Sequence, residues 1–348
     1  MNSETNKVGL INRGNTCYFN TAIQCLFNLT NFISYFPSNE FITDLKNRYE
    51  EMKDKKMNEV LLSKEFGKLV NIMKNTKSKI LEPKTLHQLI QKCDNRFIGY
   101  QQQDSQEILS LILDYLHEGL KYDVELSYSG IVENKIDELV VESSKSWIAD
   151  VKNKYSIITQ LFFGQFINKI VSLENNNKGT IVSKNFEMFN ILNIPIYGKT
   201  LYDSLAKNFE KEILETKFFD ETSKNHILAY KQIKLMKVPQ YLIIVLKRYK
   251  NNSTGNLYKS NNSISFPFDD LDLSSYAEGY DLIECKLKLI SIGCHEGGLN
   301  SGHYFAVCRD KNNNWYKYDD ETVTEYQINL NKDNLFKIGY ILIYEKIE

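Results

Sequence analysis

The sequence carries almost no net charge: 43 Lys and Arg stand against 44 Asp and Glu, a formal charge of −1. Chains that bind nucleic acid or anionic membranes usually show a basic excess, so neither partner is expected. Long apolar runs are missing too. The longest purely aliphatic stretch is LIIVL at 242–246, far short of the roughly 20 residues that span a bilayer. The stretch MNSETNKVGL at 1–10 lacks the apolar core of a signal peptide, and the expected location is the cytoplasm or nucleus. Metal spacings are absent as well. The six cysteines (Cys17, Cys25, Cys93, Cys285, Cys294 and Cys308) form no CxxC pair, and the five histidines form no HExxH. A disulfide framework is not expected in a chain of this length without a signal peptide. There is no internal repeat.

What is present is a folded composition. Apolar residues make up 42% and aromatics 12%, and 348 residues suffice for one large domain with a sizeable core. The Asn- and Lys-rich tracts KNNST, KSNNS and KNNNW read as surface loops. In the first third, apolar residues fall at helical spacing: Phe19, Ala22, Ile23, Leu26 and Phe27, then Leu61 to Met73. QEILSLILDYLHEGL, from Gln106 to Leu120, is apolar on most sides and reads as a central buried helix. A polar, less patterned insert follows, from about Lys121 to Lys154. The second half changes to strand-like stretches: FFGQFINKIVSLE, EMFNILNIPIY, KVPQYLIIVLKRYK, DLIECKLKLISIGC, HYFAVCRD, NWYKYDD and KIGYILIYEK. Helices first and antiparallel strands after give the class α+β. The natural place for a site is the cleft where the two parts meet.

Cys17 lies in NRGNTCYFNTAIQCL, a polar, turn-prone run that opens into an amphipathic pattern. Asn15 or Thr16 fits the N-cap of the helix that follows, which sets Cys17 at a helix N-terminus. Unpaired N–H groups and the positive end of the helix dipole favour a thiolate there. Gly14 allows a tight approach of the backbone. The alternative role is a small apolar residue at the start of a core helix, and Cys25 fits that role well.

A thiolate nucleophile needs a general base and acid, most often histidine. His87, His117 and His226 sit in helical or polar surroundings and read as surface or capping residues. His303 opens the strand HYFAVC after the Gly-rich stretch GCHEGGLNSG, and the next strand, WYKY, ends in Asp319 and Asp320. RDKNNN between them is a turn sequence, so the two strands form a hairpin. A loop over 309–314 puts His303 opposite Asp320, and a one-residue change in loop length moves the partner to Asp319. Either aspartate is within reach across the pair, the base-and-orienter arrangement of a triad.

Three separated stretches then resemble one family, the ubiquitin-specific proteases, which are papain-like cysteine deubiquitinases. GLINRGNTCYFNTAIQCL is similar to its cysteine box, GYQQQDSQEILSLILDYL to its QQD segment, and SGHYFAVCRDKNNNWYKYDDETV with GYILIYE to its histidine box. VPQYLIIVLKRYK and ISFPFDDLDLSSY match in order and type. The likeness runs from about Val8 to Glu345. It implies that Cys17 is the nucleophile, His303 the general base and acid, and Asp319 the orienting acid. Asn12 matches the oxyanion-hole residue, which would donate together with the Cys17 backbone N–H. Asp320 matches a second polar position that supports the site. Gln102, Asp104 and Glu107 match positions bordering the tail of ubiquitin, and His295 and Tyr304 match positions lining its channel. Carboxylates there would pair the tail's arginines, and a tunnel too narrow for a Cβ would select its glycines. Loops at about 250–262 and 294–302 match the two that shape the channel.

The resemblance also implies one catalytic domain over 1–348, shaped as a hand: a helical thumb over about 8–155, β fingers over about 156–240 and a β palm over about 241–348. Many relatives bind a structural zinc through two CxxC pairs in the fingers. The corresponding stretches here, KIVSLENNNKG and FFDETSKNHILAY, hold no cysteine, so zinc-free fingers and no cofactor are expected. Arg13, where an aliphatic residue is common, is expected at the surface. The implied activity is thiol-dependent hydrolysis after the C-terminal glycine of ubiquitin, with ubiquitin and ubiquitinated proteins as partners and a monomeric enzyme. The other readings are a protease for another ubiquitin-like modifier and a non-catalytic ubiquitin-binding protein.

Overall fold

The computed structural model describes residues 7–53, 57–174, 176–251, 254–280, 285–298, 302–329 and 334–347. The helical part opens with a short strand, β1 (Gly9–Leu10), and continues with α1 (Cys17–Phe27), α2 (Thr30–Tyr35), α3 (Asn39–Met52) and α4 (Asn58–Asn75). Then come β2 (Ile80–Leu81), parallel to β1, and α5 (Lys84–Cys93), α6 (Ser105–Leu120), α7 (Lys135–Val151) and α8 (Ile157–Phe162). The remaining strands are β3 (Gly164–Ser172), β4 (Ile181–Phe189), β5 (Ile191–Pro195), β6 (Glu212–Ile213), β7 (Phe218–Asp220), β8 (Asn225–Ile227), β9 (Ala229–Lys237) and β10 (Tyr241–Lys247). They continue with β11 (Tyr249–Asn251), β12 (Leu257–Lys259), β13 (Lys286–Gly297), β14 (Gly302–Arg309), β15 (Trp315–Asp319), β16 (Thr322–Glu325) and β17 (Gly339–Ile347). Helix α9 (Leu201–Asn208) follows β5, and the short α10 (Leu335–Ile338) precedes β17. The α+β class is as the sequence suggests.

One helix differs from expectation in rank. The apolar pattern points to α6 as the central helix, and α6 does bury most of one side. Yet α1 is buried along all of its length, including Asn20, Thr21 and Gln24. These polar residues disguise it in the sequence. They are tolerated because they find partners: Gln24 Nε2 donates to the Val8 carbonyl at 2.7 Å and Asn20 Nδ2 to Asp320 Oδ1 at 2.8 Å. A second difference lies in the stretch 121–154, read as a patternless insert. It contains α7, whose apolar and small residues Leu139, Ser143, Trp147 and Val151 recur every four positions and are buried. A capping box between Asn134 and Asp137 starts this helix.

The palm is a seven-stranded sheet in the order β16-β15-β14-β13-β17-β10-β5. Helices cover one face and loops with α9 cover the other. Along β10, Tyr241, Ile243 and Val245 enter the core shared with α1 and α6, while Leu242, Ile244 and Leu246 enter the core under α9. This is why LIIVL is unbroken by polar residues: both sides of the strand are inside. Each such side chain contributes about 1.5–3 kcal/mol through burial. The fingers form a four-stranded sheet, β4-β3-β9-β6, with the small hairpin β7-β8 beyond it. The segment 156–240 therefore contributes to three sheets, because β5 leaves the fingers to form the parallel edge of the palm.

Candidate active site

Cys17 is the first residue of α1, and α1 packs against β14, the strand that carries His303. Thr16 takes the N-cap position but makes no side-chain cap. Its hydroxyl instead accepts from the Arg13 N–H at 3.1 Å and donates to Asn12 Oδ1 at 3.2 Å. Asn12 Oδ1 also accepts from the backbone N–H of Gly14 and of Thr16, both at 3.0 Å. The turn 12–16 is thus closed around one side-chain oxygen, and Gly14 enters it at φ +99, a conformation glycine adopts without strain. With Thr16 turned back into the loop, the first N–H groups of α1 lack a side-chain cap from it.

His303 Nε2 meets Asp319 Oδ1 at 2.6 Å. Cys17, at the start of α1, also acts on this imidazole. Cys17 is the main influence raising the His303 pKa, to about 9. Burial opposes it, and the Asp319 carboxylate adds to it. Of the expected triad, His303 thus meets Asp319 directly and is influenced by Cys17.

The hairpin register corrects the expectation while leaving the partner among its two candidates. The observed pairs run from Ala306 with Tyr318 to Arg309 with Trp315 and leave 310–314 as the loop. Extended, this register sets His303 opposite Glu321, not Asp319 or Asp320. Pairing stops before that point. Asp319 then lies diagonal to His303 and on the same side of the strand, since residues 319 and 321 share a face. Asp320 falls on the other side and takes a left-handed conformation, φ 48. There its carboxylate accepts from Asn12 Nδ2 at 2.8 Å and from Asn20 Nδ2 at 2.8 Å. Burial raises the Asp320 pKa, with these two amides opposing. Asp319 thus serves the histidine, and Asp320 fixes the Asn12 amide. One Nδ2 hydrogen of Asn12 is taken up by Asp320.

Two contributors escaped sequence reading. Asn20 lies three residues after Cys17 and ties α1 to the Asp320 corner. Lys317 Nζ lies 2.7 Å from Asp319 Oδ2. Burial pushes the Asp319 pKa up, but Lys317 and His303 together outweigh it and the net shift is down. The signal for Lys317 was present: in a strand, positions 317 and 319 point the same way.

All five expected tail-binding residues, Gln102, Asp104, Glu107, His295 and Tyr304, line one cavity of about 300 Å³ together with Gln103, Tyr249 and Leu257. Gln102 also bonds the backbone of Gly302 in both directions: it donates to the carbonyl and accepts from the N–H at 3.2 Å. The residue before His303 is held in place this way. A Cβ at Gly302 would stand 2.1 Å from His295 Nε2, so only glycine fits. Asp104 caps α6 and accepts from the Tyr340 hydroxyl at 2.8 Å, and burial raises its pKa. Glu107 is exposed and paired with Arg96 at 3.1 Å. His295 is buried and stacked on Tyr304 at 4.2 Å, with Tyr249 Oη 2.8 Å from Nδ1. Burial pushes its pKa down to about 4, with Lys259 and His303 contributing, so it is neutral.

Other expectations change. Residues 293–297 of the Gly-rich stretch are the end of β13 and not a loop. The stretch around 250–262 is largely a hairpin of β11 and β12. The loops at 250–262 and 294–302 also include residues 252–253 and 299–301, which lie outside the described residues. His117 is not a surface residue: it is half-buried, with Nδ1 2.8 Å from Ser156 Oγ, and burial lowers its pKa to about 4. His87 is half-buried too, whereas His226 is exposed on β8. Arg13 lies exposed and pairs with Glu82. Cys25 is fully buried. Among the described residues, the one cluster with metal-like spacing is His303, Asp319 and Asp320 in the active site itself.

Comparison with known proteins agrees with this geometry. The family model "Ubiquitin carboxyl-terminal hydrolase" matches residues 8–344. Human Ubiquitin carboxyl-terminal hydrolase 2 is 27% identical over 361 aligned residues, covering 99% of this chain and 56% of its own length. Ubiquitin carboxyl-terminal hydrolase 4 of Saccharomyces cerevisiae is 27% identical, covering 98% of this chain and 39% of its own. The chain therefore spans about half the length of such relatives, or less. Among solved structures, the SAGA DUB module of Ubp8, Sgf11, Sus1 and Sgf73 bound to monoubiquitin matches with a TM-score of 0.74 at 22% identity, covering 100% of this chain and 71% of the other. The same module bound to ubiquitin aldehyde gives 0.72 at 21% identity, again covering 100% and 71%. These two likenesses concern the fold. With its motifs joined into one site and the family model covering all but a few terminal residues, the chain belongs to the ubiquitin carboxyl-terminal hydrolase family.

Proposed function

We propose that this chain is a cysteine-type deubiquitinase domain that hydrolyses the isopeptide or peptide bond after the C-terminal glycine of ubiquitin. The observation that carries the reading is His303, bonded to Asp319 and influenced by Cys17, beside the cavity lined by Gln102, Asp104, Glu107, His295 and Tyr304. Relatives of the same fold are seen with monoubiquitin and with ubiquitin aldehyde.

In this mechanism the Cys17 sulfur attacks the carbonyl carbon of the last glycine. Negative charge develops on the carbonyl oxygen and is met by the Asn12 amide and the Cys17 N–H. The imidazolium of His303 gives its proton to the leaving lysine nitrogen, and the C–N bond breaks to leave a thioester. His303 then takes a proton from water, whose oxygen attacks the thioester carbon, and the C–S bond breaks to return Cys17. Asp319 keeps the ring oriented throughout. The close approach of Gly302 to His295, which stacks on Tyr304, suits a glycine tail.

Release of a fluorophore from the C-terminus of ubiquitin tests the reading. Turnover is expected, with loss in Cys17→Ala and retained ubiquitin binding. Binding without turnover in the unaltered chain would leave a ubiquitin-binding protein. Preferential labelling of Cys17 by an electrophilic probe built on another modifier would replace ubiquitin as substrate.

A further inference from the structure

Lys317 stands in the middle of β15, opposite Val307 and two residues before Asp319. Its Nζ is 2.7 Å from Asp319 Oδ2, while Asp319 Oδ1 is 2.6 Å from His303 Nε2. The same Nζ sits 4.1 Å from the centre of the Phe305 ring, and Phe305 stacks beside His303 at 6.5 Å between centroids. Residues 303 and 305 on β14 and 317 and 319 on β15 thus form one patch on one side of the hairpin: imidazole, phenyl ring, ammonium and carboxylate. Lys317 is only 28% exposed, so water screens the arrangement incompletely.

We propose that Lys317 is a positioning residue of the triad: it holds the second oxygen of Asp319, aims the first at His303, and restrains how strongly that carboxylate stabilises the imidazolium. Two consequences follow from one contact. The carboxylate cannot rotate away from Nε2 without giving up the ammonium. It also divides its charge between two cations, so the His303 proton leaves more readily for an amine than it would beside an undivided carboxylate. The other groups facing His303 are Cys17 from α1, Asp320 at the corner after β15, and His295 and Glu296 on β13, with Glu296 paired directly across. None of these takes Asp319 Oδ2.

The proposal rests on the reading of Cys17 and His303 as a reacting pair, but its test does not require ubiquitin. The rate of Cys17 alkylation by iodoacetate, mapped by peptide mass, is measured against pH in the unaltered chain, Lys317→Met, Lys317→Gln and Lys317→Arg. The anionic reagent senses the imidazolium, so the rate falls as His303 loses its proton near pH 9. Removing the cation in Lys317→Met and Lys317→Gln is expected to move this limb upward by about half a unit to one. Lys317→Arg is expected to return it. On a ubiquitin C-terminal fluorophore, Lys317→Met should lower kcat about tenfold with KM unchanged, because Lys317 lies outside the tail cavity. An unmoved alkaline limb in both neutral variants, or an Arg variant that matches Met, would overturn the proposal. If the unaltered chain shows no ubiquitin turnover while the limb still moves, the positioning role stands and the substrate reading falls.

Discussion

The two largest sheets of this molecule handle burial differently. In the palm, β10 is buried from Tyr241 to Leu246 and both faces are covered. In the fingers, β4 is exposed or half-exposed along almost all of its length. The third core cluster, which joins α7 to this sheet, is only Leu139, Ile167 and Met236. Lys169, buried on β3, is neutralised there by Glu278. The palm also houses Arg248, a fully buried guanidinium satisfied by four carbonyls, those of Gly339, Ser260, Asn262 and Phe336. The lesson is a division of labour. His303 and Asp319 sit on the sheet whose central strand is buried on both sides, while the four-stranded sheet keeps one strand largely exposed.

The largest expected effect isolates the chemistry from both sheets. Cys17→Ala and His303→Ala should each lower turnover by about 10⁵-fold or more, since members of a catalytic unit fail together. Melting temperature and ubiquitin affinity should stay close to those of the unaltered chain. Loss of folding in either variant would mean that Cys17 and His303 are structural and that the division of labour is wrong.

Next comes the split between the two aspartates. Asp319→Ala should cost roughly 10³-fold in kcat, because the imidazole loses its orienter. Asp320→Ala should cost roughly 10- to 100-fold, because Asn12 stays tethered by Gly14 and Thr16. Steady-state kinetics on a ubiquitin fluorophore decides the order, and a reversed order would make the Asn12 corner the more important support.

The sheets themselves are compared by two cavity variants. Ile244→Ala, in the palm core, should destabilise the whole molecule by about 3 kcal/mol and lower the single melting transition. Ile167→Ala should chiefly weaken hydrogen-exchange protection in β3 and β9, leaving Cys17 alkylation unchanged. Equal loss of alkylation in both variants would show that fingers and palm unfold as one unit.

The smallest effect is in pH. His303 has a folded pKa of about 9, above the usual histidine value. The small stability that goes with this raised pKa is fully present below the unfolded histidine pKa of about 6.5 and is lost as pH rises through about 9. Turnover should hold through neutrality and decline over the same alkaline interval. A decline that begins near pH 7 would place the proton elsewhere.

Much of the site was readable from the chain. Cys17, His303 and an aspartate of the 319–320 pair could be named from a helix-start pattern, a hairpin and a turn, because each depends on neighbours close in sequence. The hairpin parity was harder. One residue of loop length decides it, and the reading placed the loop at 309–314 where the pairs leave 310–314. Helix α7 was overlooked although its cap pair Asn134 and Asp137 is local, because its buried face includes a serine. The central place of α1 was hidden by Asn20 and Gln24, whose partners are Asp320, 300 residues away, and the Val8 carbonyl just before β1.

The sequence by itself determined the class and most of the helix and strand order, through periodicity. Local spacing singled out Cys17 and His303 as the candidate nucleophile and base, and the resemblance to the family singled out the five residues that line one cavity. Only the tertiary structure decided which aspartate serves His303, that Asp320 holds the Asn12 amide, that Gln102 clamps Gly302, and that Lys317 takes the second oxygen of Asp319. Those are contacts of a few ångströms, several of them between segments two to three hundred residues apart. Their geometry depends on strand register, twist and the packing of α1 on β14, none of which a local pattern specifies.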